Sequence, residues 1–378
     1  MAVGREYDDN PVPGNEKDLP MDADTVYRRL RDDAGYHVMG CGKFDLHKAT
    51  KDWNLDGSRC LAEWGFSDGI DSEGKWDGVS SGMEKPMGPY LQMLEERGLR
   101  QAYLDDMARR RPQAGHRLAA HACPLPEDAY GDNWVGGNAL KLLEEAPEGK
   151  PWFLQINFPG PHDPWDVTEE MKSWYARTGF PPPIDNEKDD REALNAVRRN
   201  YAAMTTNIDR WIGILREELE RRGELENTLI LFASDHGEML GDREAWGKSR
   251  PDRQSSQVPF VIWGPRLGVR EGARYDGPST ILDGVGTALE AAGLPIPDGW
   301  DTRSLWPILS GKREQHRDYA WSGLKNWRLV TDGRWKLVKR IDENRYELYD
   351  LENDPEERLN RMESNAAEAE RLRAALPR

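Results

Sequence analysis

The chain has 378 residues, of which 37% are hydrophobic and 32% are charged, and its formal net charge is −16. This length is enough for one large domain and a smaller one. Lysine and arginine are interspersed among the acidic residues, which argues against a nucleic-acid partner, and no apolar run approaches the roughly 18 residues that span a bilayer.

The three cysteines show no C-x-x-C spacing, which excludes a dense disulfide framework and predicts buried free thiols. Residues 1–9 contain no apolar stretch like that of a secretory signal. The sequence as written therefore gives no reason to expect export, but a signal upstream of Met1 would reverse that expectation. Compartment and oligomeric state stay open.

The first half of the chain gives few strong secondary-structure signals. In order, these predict a loop over residues 1–20, a helix over 22–34, a strand over 36–41, and long loops with a few helices over 51–149. The predicted strand leads directly into Gly42 and Lys43.

The second half alternates strands and helices. The pattern predicts a strand over 152–158, an amphipathic helix over 201–219, strands over 229–234 and 259–263, and a helix over 280–292. This alternation favours an α/β fold with a mostly parallel sheet sandwiched by helices.

The pattern of apolar and polar residues changes after Gly311. Apolar runs separated by an Asp-Gly turn and a charged turn predict antiparallel strands over residues 327–331, 335–338 and 347–351, closed by a helix over 363–376. We therefore expect a large domain over residues 1–311 and a small α+β subdomain with an antiparallel sheet over 312–378.

Polar side chains stand at the exits of the predicted strands of the large domain. They are Lys43, His162, the adjacent pair Asp235 and His236, and Lys248. Ligands bind beyond the carboxyl ends of strands in open α/β sheets, and a carboxylate beside an imidazole can hold a metal ion. Two lysines, a histidine and a metal pair suit an anionic, tetrahedral ester group.

Taken in order, these segments resemble the sulfatase family of the alkaline-phosphatase superfamily. The family's GKWHLG segment, PHxP loop, SDHGxxLG, GK and VP run, and ELYDLxxDPxE close are similar to residues 42–47, 157–164, 234–260 and 347–357. The resemblance covers nearly the whole chain. It implies an alkaline-phosphatase-like fold and metal-assisted hydrolysis of a sulfate ester.

The resemblance also implies roles for the strand-exit residues. Asp235 and His236 would bind a divalent metal, usually Ca²⁺ in sulfatases, Lys43 and Lys248 would contact the sulfate group, and His162 would touch the ester oxygen. Calcium prefers oxygen donors, so the histidine in this pair leaves Mg²⁺, Mn²⁺ and Zn²⁺ open.

Two departures from the family pattern concern the reacting groups. Asp45 stands where GKWHLG has its histidine, which makes His47 a candidate for the second leaving-group contact. Sulfatases also carry an Asp-Asp metal pair and a C/S-x-P-x-R segment whose Cys or Ser is oxidised to formylglycine, the attacking group. Residues 8–9 follow no apolar strand, and residues 123–127 lack the arginine. We therefore expect an amino-terminally truncated sulfatase, inactive as written, with formylglycine supplied only in the full-length protein.

Three functions remain open from the sequence. The leading one is sulfate ester hydrolysis by the complete protein. The second is hydrolysis of a phosphate or phosphonate monoester on the same scaffold, which His236 favours. The third is a non-catalytic remnant or a homologue that binds anionic sugars. The fifteen tryptophans slightly favour a sulfated glycan as the small anionic partner, with Trp165 the best candidate for stacking on a sugar ring.

Overall fold

The computed structural model of the protein describes residues 1–111 and 117–377. Its strands are β1 (His37–Gly42), β2 (Asp68–Asp71), β3 (Trp152–Asn157), β4 (Ile230–Ala233), β5 (Phe260–Trp263), β6 (Ala320–Leu324), β7 (Trp327–Thr331), β8 (Trp335–Arg340) and β9 (Arg345–Asp350). Its α-helices are α1 (Val26–Arg28), α2 (Leu61–Trp64), α3 (Lys75–Ser81), α4 (Pro89–Glu96), α5 (Arg100–Arg110), α6 (Gly131–Glu144), α7 (Glu169–Trp174), α8 (Arg191–Arg221), α9 (Arg253–Ser256), α10 (Leu282–Ala291), α11 (Trp306–Leu309) and α12 (Ala366–Ala375).

Strand β1 is the centre of a parallel sheet in the order β2-β1-β3. Cys41 pairs with Ile70 of β2 on one side and with Ile156 of β3 on the other. Val38, Met39 and Cys41 are apolar and fully buried, as expected for a parallel strand covered on both faces. This register brings the carboxyl ends of the three strands to one edge of the sheet.

Strands β4 and β5 form a separate antiparallel pair. Side chains of β1, β3 and β4 pack together against helices α6 and α8. On the opposite face, Val285 and Leu289 of α10 pack with Val38 and Phe153. The prediction of an α/β fold with helices on both faces of the sheet is confirmed, with the second sheet piece antiparallel.

The prediction of long loops with a few helices over residues 51–149 underestimated the regular structure, which covers about half of this range and includes a strand that was not predicted. Strand β2 and helices α2 to α6 lie in this range. The residues 112–116 within it lie outside the described part of the chain. The helix predicted over 22–34 begins later, at Val26, where the Thr25 hydroxyl accepts a hydrogen bond from Arg28 N, and continues as a π-helical turn to Asp33.

The carboxyl-terminal residues form an antiparallel sheet in the order β6-β7-β8-β9. Helix α12 covers this sheet, with Ala369 and Leu372 packed on Val330, Leu337 and Leu348. This confirms the antiparallel sheet and closing helix, to which the structure adds β6. The boundary at residue 311 stays a prediction. Among the described residues, no helix is long and apolar enough to cross a membrane.

Candidate functional site

The first site residue, Lys43, follows β1, next to the end of β3. Gly42 has a φ of 102°, and a Cβ there would lie 2.1 Å from the Asn157 carbonyl oxygen. The Lys43 amide donates to the same oxygen over 3.1 Å. Glycine permits both this conformation and this approach, so Lys43 leaves the sheet beside the segment that follows β3.

His162 lies in the loop that follows β3. The Gly160 amide in this loop donates to the Asp132 carboxylate over 2.8 Å. The ring nitrogen Nδ1 of His162 lies 2.8 Å from the Asp163 carbonyl oxygen, which can only accept a hydrogen bond. Nδ1 therefore carries the proton, and the unprotonated Nε2 is left to face neighbouring groups.

Asp235 and His236 lie just beyond the end of β4. His236 Nδ1 donates to the Gly237 carbonyl over 2.8 Å, so its Nε2 is also unprotonated. Asp235 Oδ2 lies 3.4 Å from this Nε2, and the Asp235 side chain is 73% exposed. The pair therefore places an exposed carboxylate beside one unprotonated imidazole nitrogen.

Lys248 joins the two imidazoles. Its Nζ lies 2.8 Å from His236 Nε2 and 3.4 Å from His162 Nε2. The carboxylate of Glu238 holds the loop that delivers Lys248, because Oε1 accepts from the Gly247 amide over 2.6 Å and from the Leu240 amide over 3.2 Å.

We define the strand-end cluster as Lys43, His162, Asp235, His236 and Lys248. Burial lowers the pKa of His162 to about 4; Asp163 opposes this effect, and the charges of Lys248 and Lys43 add to it. Burial also lowers the pKa of His236, with the same two lysines adding to the effect. Near neutral pH, both imidazoles of the cluster are therefore neutral, beside the side chains of the two lysines and Asp235.

The pKa of Lys248 is also lowered. Partial loss of hydration is the main cause, and Lys43 adds to it by repulsion, while Asp235 and Asp45 act in the opposite direction. This repulsion places Lys43 within electrostatic range of Lys248. An anion placed between them would relieve this repulsion.

Asp45, at the position of the family's histidine, forms ion pairs with Lys43 and Lys48. Burial acts to raise the pKa of Asp45, but these two lysines hold it below its usual value. An ionised carboxylate has no proton to donate to a leaving oxygen. Asp45 therefore screens part of the Lys43 charge.

His47 does not join the strand-end cluster. Its side chain is 2% exposed, and Nε2 lies 2.9 Å from the fully buried Asp71 carboxylate. The ring stacks on Trp64 and lies against Trp53. The prediction that His47 contacts the leaving group is therefore wrong, because the buried ring has no open edge for a substrate.

Two other candidates are also buried. Trp165 is 1% exposed and packs against Trp246, so it cannot stack on a sugar ring. Cys123 is 5% exposed, and burial raises its pKa to about 12. All three cysteines are free thiols, as predicted, but only Cys41 and Cys123 are buried, and Cys60 is half-buried.

The Asp235 and His236 pair by itself does not fit a complete metal site. Within residues 1–111 and 117–377, no group of three or more His, Cys, Asp or Glu side chains lies close enough to share a metal ion. Ca²⁺ takes about six to eight oxygen ligands, and His236 Nε2 here accepts a hydrogen bond from Lys248. Asp8 is not a further donor to this pair, since its carboxylate pairs with Arg328.

Known protein families match two overlapping parts of the chain. The model of the family described as Sulfatase matches residues 29–294. The chain belongs to the sulfatase family. A model described as the N-sulphoglucosamine sulphohydrolase C-terminal region matches residues 246–376 of this sulfatase-family chain.

The chain is also similar in sequence to curated proteins that are named as sulfatases. An arylsulfatase of Clostridium perfringens is 29% identical over 264 residues, which cover 63% of this chain and 55% of that protein. The chain spans about half the length of the curated relatives it matches.

Solved structures share its fold. The phosphonate monoester hydrolase SpPMH from Silicibacter pomeroyi has a TM-score of 0.79 at 21% identity, covering 99% of this chain and 83% of that one. BT4656, in complex with its substrate D-glucosamine-2-N,6-O-disulfate, has a TM-score of 0.73 at 16% identity, covering 99% of this chain and 85% of that one. Both confirm the alkaline-phosphatase-like fold.

Three residues that lie beside the site were not singled out from the sequence: Gly74, Lys75 and Glu238. Glu238 stands within the Asp-His-Gly-Glu segment, so its closeness to the strand end was a usable signal. Gly74 and Lys75 carry no such signal, because they follow β2, a strand that the sequence did not predict.

Proposed function

We propose that the strand-end cluster binds the sulfate group of an ester and supports hydrolysis of that ester. The observation that carries this proposal is the position of Lys248 between two neutral imidazoles, with Lys43 close enough to lower their pKa values. Lys43 still repels Lys248 although Asp45 lies beside Lys43, and an anionic ester oxygen between the two lysines would relieve that repulsion.

The residues of the chain would act as follows. Lys43 and Lys248 neutralise charge on the sulfate oxygens, which becomes more important as the leaving bond breaks. A bound anion beside His162 favours its imidazolium form and raises the pKa of the ring from its ligand-free value of about 4. His162 could then hold a proton at Nε2 and donate it to the leaving oxygen.

Asp235 and His236 remain the predicted metal ligands, with Ca²⁺ favoured and Mg²⁺, Mn²⁺ or Zn²⁺ open. These two side chains supply one carboxylate and one imidazole, so no step of the reaction is assigned to a metal here. The proposed contribution of His236 without a metal is to orient Lys248, because His236 Nε2 accepts its hydrogen bond over 2.8 Å.

The attacking group is not assigned to the strand-end cluster, which contains no thiol or hydroxyl. Cys123 is excluded as a nucleophile by its burial and its pKa of about 12. The expectation that this chain alone is inactive for want of formylglycine stays a prediction. Release of nitrophenol from 4-nitrophenyl sulfate by the purified chain measures it directly.

Binding of inorganic sulfate, followed by calorimetry, tests the proposal without requiring turnover. Lys248→Met should weaken sulfate binding about tenfold or more, because a charge-assisted hydrogen bond contributes roughly 1.5–3 kcal/mol. Lys172→Met, on the surface helix α7, is the matched control and should bind like the wild type. Equal sulfate affinity of wild type, Lys248→Met and Lys43→Met would refute the proposed function.

A phosphonate or phosphate monoester is the second candidate substrate class. His236 favours it, and the likeness to the phosphonate monoester hydrolase supports it at the level of the fold. A sulfated sugar is supported in the same way by the structure bound to a disulfated glucosamine. Paired 4-nitrophenyl sulfate and phenylphosphonate esters, assayed with an active form of the enzyme, would separate the two reactions.

A further inference from the structure

The first turn of α3 touches the loop that carries His162. Lys75 begins this helix, and its ammonium group has three acceptors in that loop. The Nζ atom lies 3.0 Å from the His162 carbonyl, 3.1 Å from the Pro164 carbonyl and 2.6 Å from Asp166 Oδ1. An ammonium group has three protons, so all of its donors are used on one loop.

This arrangement gives Lys75 no part in binding an anion. Its side chain is 9% exposed and that of Asp166 is 6% exposed, so the ion pair is buried. A buried lysine that uses all of its donors in this way fixes the position of the backbone to which it is bonded. Here that backbone includes the carbonyl group of His162 itself.

The neighbouring residue extends the contact to the imidazole ring. Trp76 Nε1 donates to Asp163 Oδ2 over 3.0 Å. Asp163 Oδ1 lies 3.2 Å from His162 Nδ1, which donates to the Asp163 carbonyl. The Asp163 carbonyl, which accepts the Nδ1 hydrogen bond, therefore lies between two carbonyls that Lys75 holds, those of His162 and Pro164. The other ring nitrogen, Nε2, faces Lys248 at 3.4 Å.

We propose that Lys75 is a positioning residue that holds His162 with its unprotonated Nε2 directed into the strand-end cluster. This inference rests on the proposed function, since it assigns the supporting contact of the same anion site. It does not make Lys75 a catalytic residue, because the ammonium group touches only loop atoms. A merely structural ion pair would affect stability without changing the state of the His162 ring.

The test is the tautomer of His162, read from long-range ¹H–¹⁵N spectra of the ligand-free protein labelled in its histidine rings. The His162 signal is identified by its loss in His162→Gln. The wild type should show the Nδ1–H form. Lys75→Met removes all three donors at nearly constant length, and the ring should become a mixture of both tautomers. Sulfate binding should weaken, but by less than in Lys248→Met.

Arg110→Met is the matched control. Arg110 is a fully buried cation that pairs with Asp106 over 2.8 Å and donates to the His121 carbonyl. Its loss should lower stability and leave the His162 tautomer unchanged. If Lys75→Met does not fold, Lys75→Arg decides, because the charge stays but a planar guanidinium cannot reach the same three acceptors.

A folded Lys75 variant with the wild-type tautomer and the wild-type sulfate affinity would overturn the proposal. Failure of the proposed function gives a different pattern. In that case the wild type does not bind sulfate at the strand-end cluster, while the change of tautomer in Lys75→Met still appears. The two outcomes are therefore separable in the same set of samples.

Discussion

The position of Lys43 depends on the absence of a side chain at Gly74. A Cβ on Gly74 would lie 2.6 Å from Lys43 Cε and 2.9 Å from Lys43 Cδ. The backbone of Gly74 is extended, with φ −74° and ψ 165°, so alanine is compatible with its conformation. The methyl group of Gly74→Ala must therefore displace the flexible lysine rather than strain the chain.

We expect Gly74→Ala to fold normally and to weaken sulfate binding about as much as Lys43→Met does. Calorimetric titration with sulfate measures the affinity, and thermal unfolding reports stability. Gly213→Ala is the control, because a Cβ there meets nothing within 4 Å. In helix α8 it should raise stability by about 0.5–1 kcal/mol and leave binding unchanged. Wild-type sulfate affinity in Gly74→Ala would contradict the displacement of Lys43.

The sequence predicted the site residues that directly follow predicted strands. Lys43 and His162 follow the parallel strands β1 and β3, and the loop after β4 brings His236 and Lys248 beside His162. His47 could not be judged in this way, since its burial against Asp71 depends on β2, which the sequence did not reveal. Side-chain burial is a property of tertiary packing, so local pattern cannot supply it.

At the level of elements, the segment after β2 links the site to the helices beside it. Glu73 precedes Gly74 and Lys75, and its Oε1 accepts from the Leu91 amide in the first turn of α4 over 2.8 Å. The other carboxylate oxygen is buried without a hydrogen bond among the described residues. Burial is the main cause that raises the pKa of Glu73 from 4.5 to about 7.

This shift predicts a loss of stability as the pH rises. The unfolded chain releases the Glu73 proton near 4.5 and the folded chain near 7, so folding is favoured at low pH. Between these values, the contribution of Glu73 to the free energy of unfolding should fall by up to about 3 kcal/mol. Urea unfolding of the wild type and Glu73→Gln at pH 5, 6, 7 and 8 measures it.

The difference between the two proteins should change in favour of Glu73→Gln as the pH increases. The exposed Glu63→Gln, on α2, serves as the control and should track the wild type at every pH. A constant difference between wild type and Glu73→Gln across this range would mean that Glu73 is ionised in the folded protein at pH 5.

Elements were predicted well where apolar periodicity was long and poorly where packing replaced it. Helix α6 contains two adjacent glycines, which lower helix propensity. A Cβ on Gly136 would lie 2.1 Å from the Trp211 ring of α8, so this glycine permits the two helices to approach. The glycines that make α6 hard to predict from the sequence thus include the residue that lets it pack against α8.

At the scale of the whole molecule, the carboxyl-terminal sheet supports the segment after Lys248. Trp327 Nε1 donates to the Ser249 carbonyl over 3.0 Å. Lys336 of β8 donates to the Pro251 carbonyl and pairs with Glu357 at 2.6 Å. Both side chains of this pair are almost fully buried. The subdomain predicted over 312–378 therefore holds the backbone of residues 249 and 251, directly after Lys248.

Loss of this ion pair should be costly to the whole molecule. Lys336→Met leaves Glu357 buried without its cation, and removal of one partner from such a pair costs about 3–5 kcal/mol. Arg340→Met, which breaks a more exposed pair with Glu347, is the matched control and should cost less than about 1 kcal/mol. Urea unfolding followed by tryptophan fluorescence gives both values.

The double variant Lys336→Met with Glu357→Gln should recover part of the loss, because no unpaired charge then remains buried. A cost in Lys336→Met no larger than that of the control would show that the buried ion pair does not contribute to the stability of the molecule.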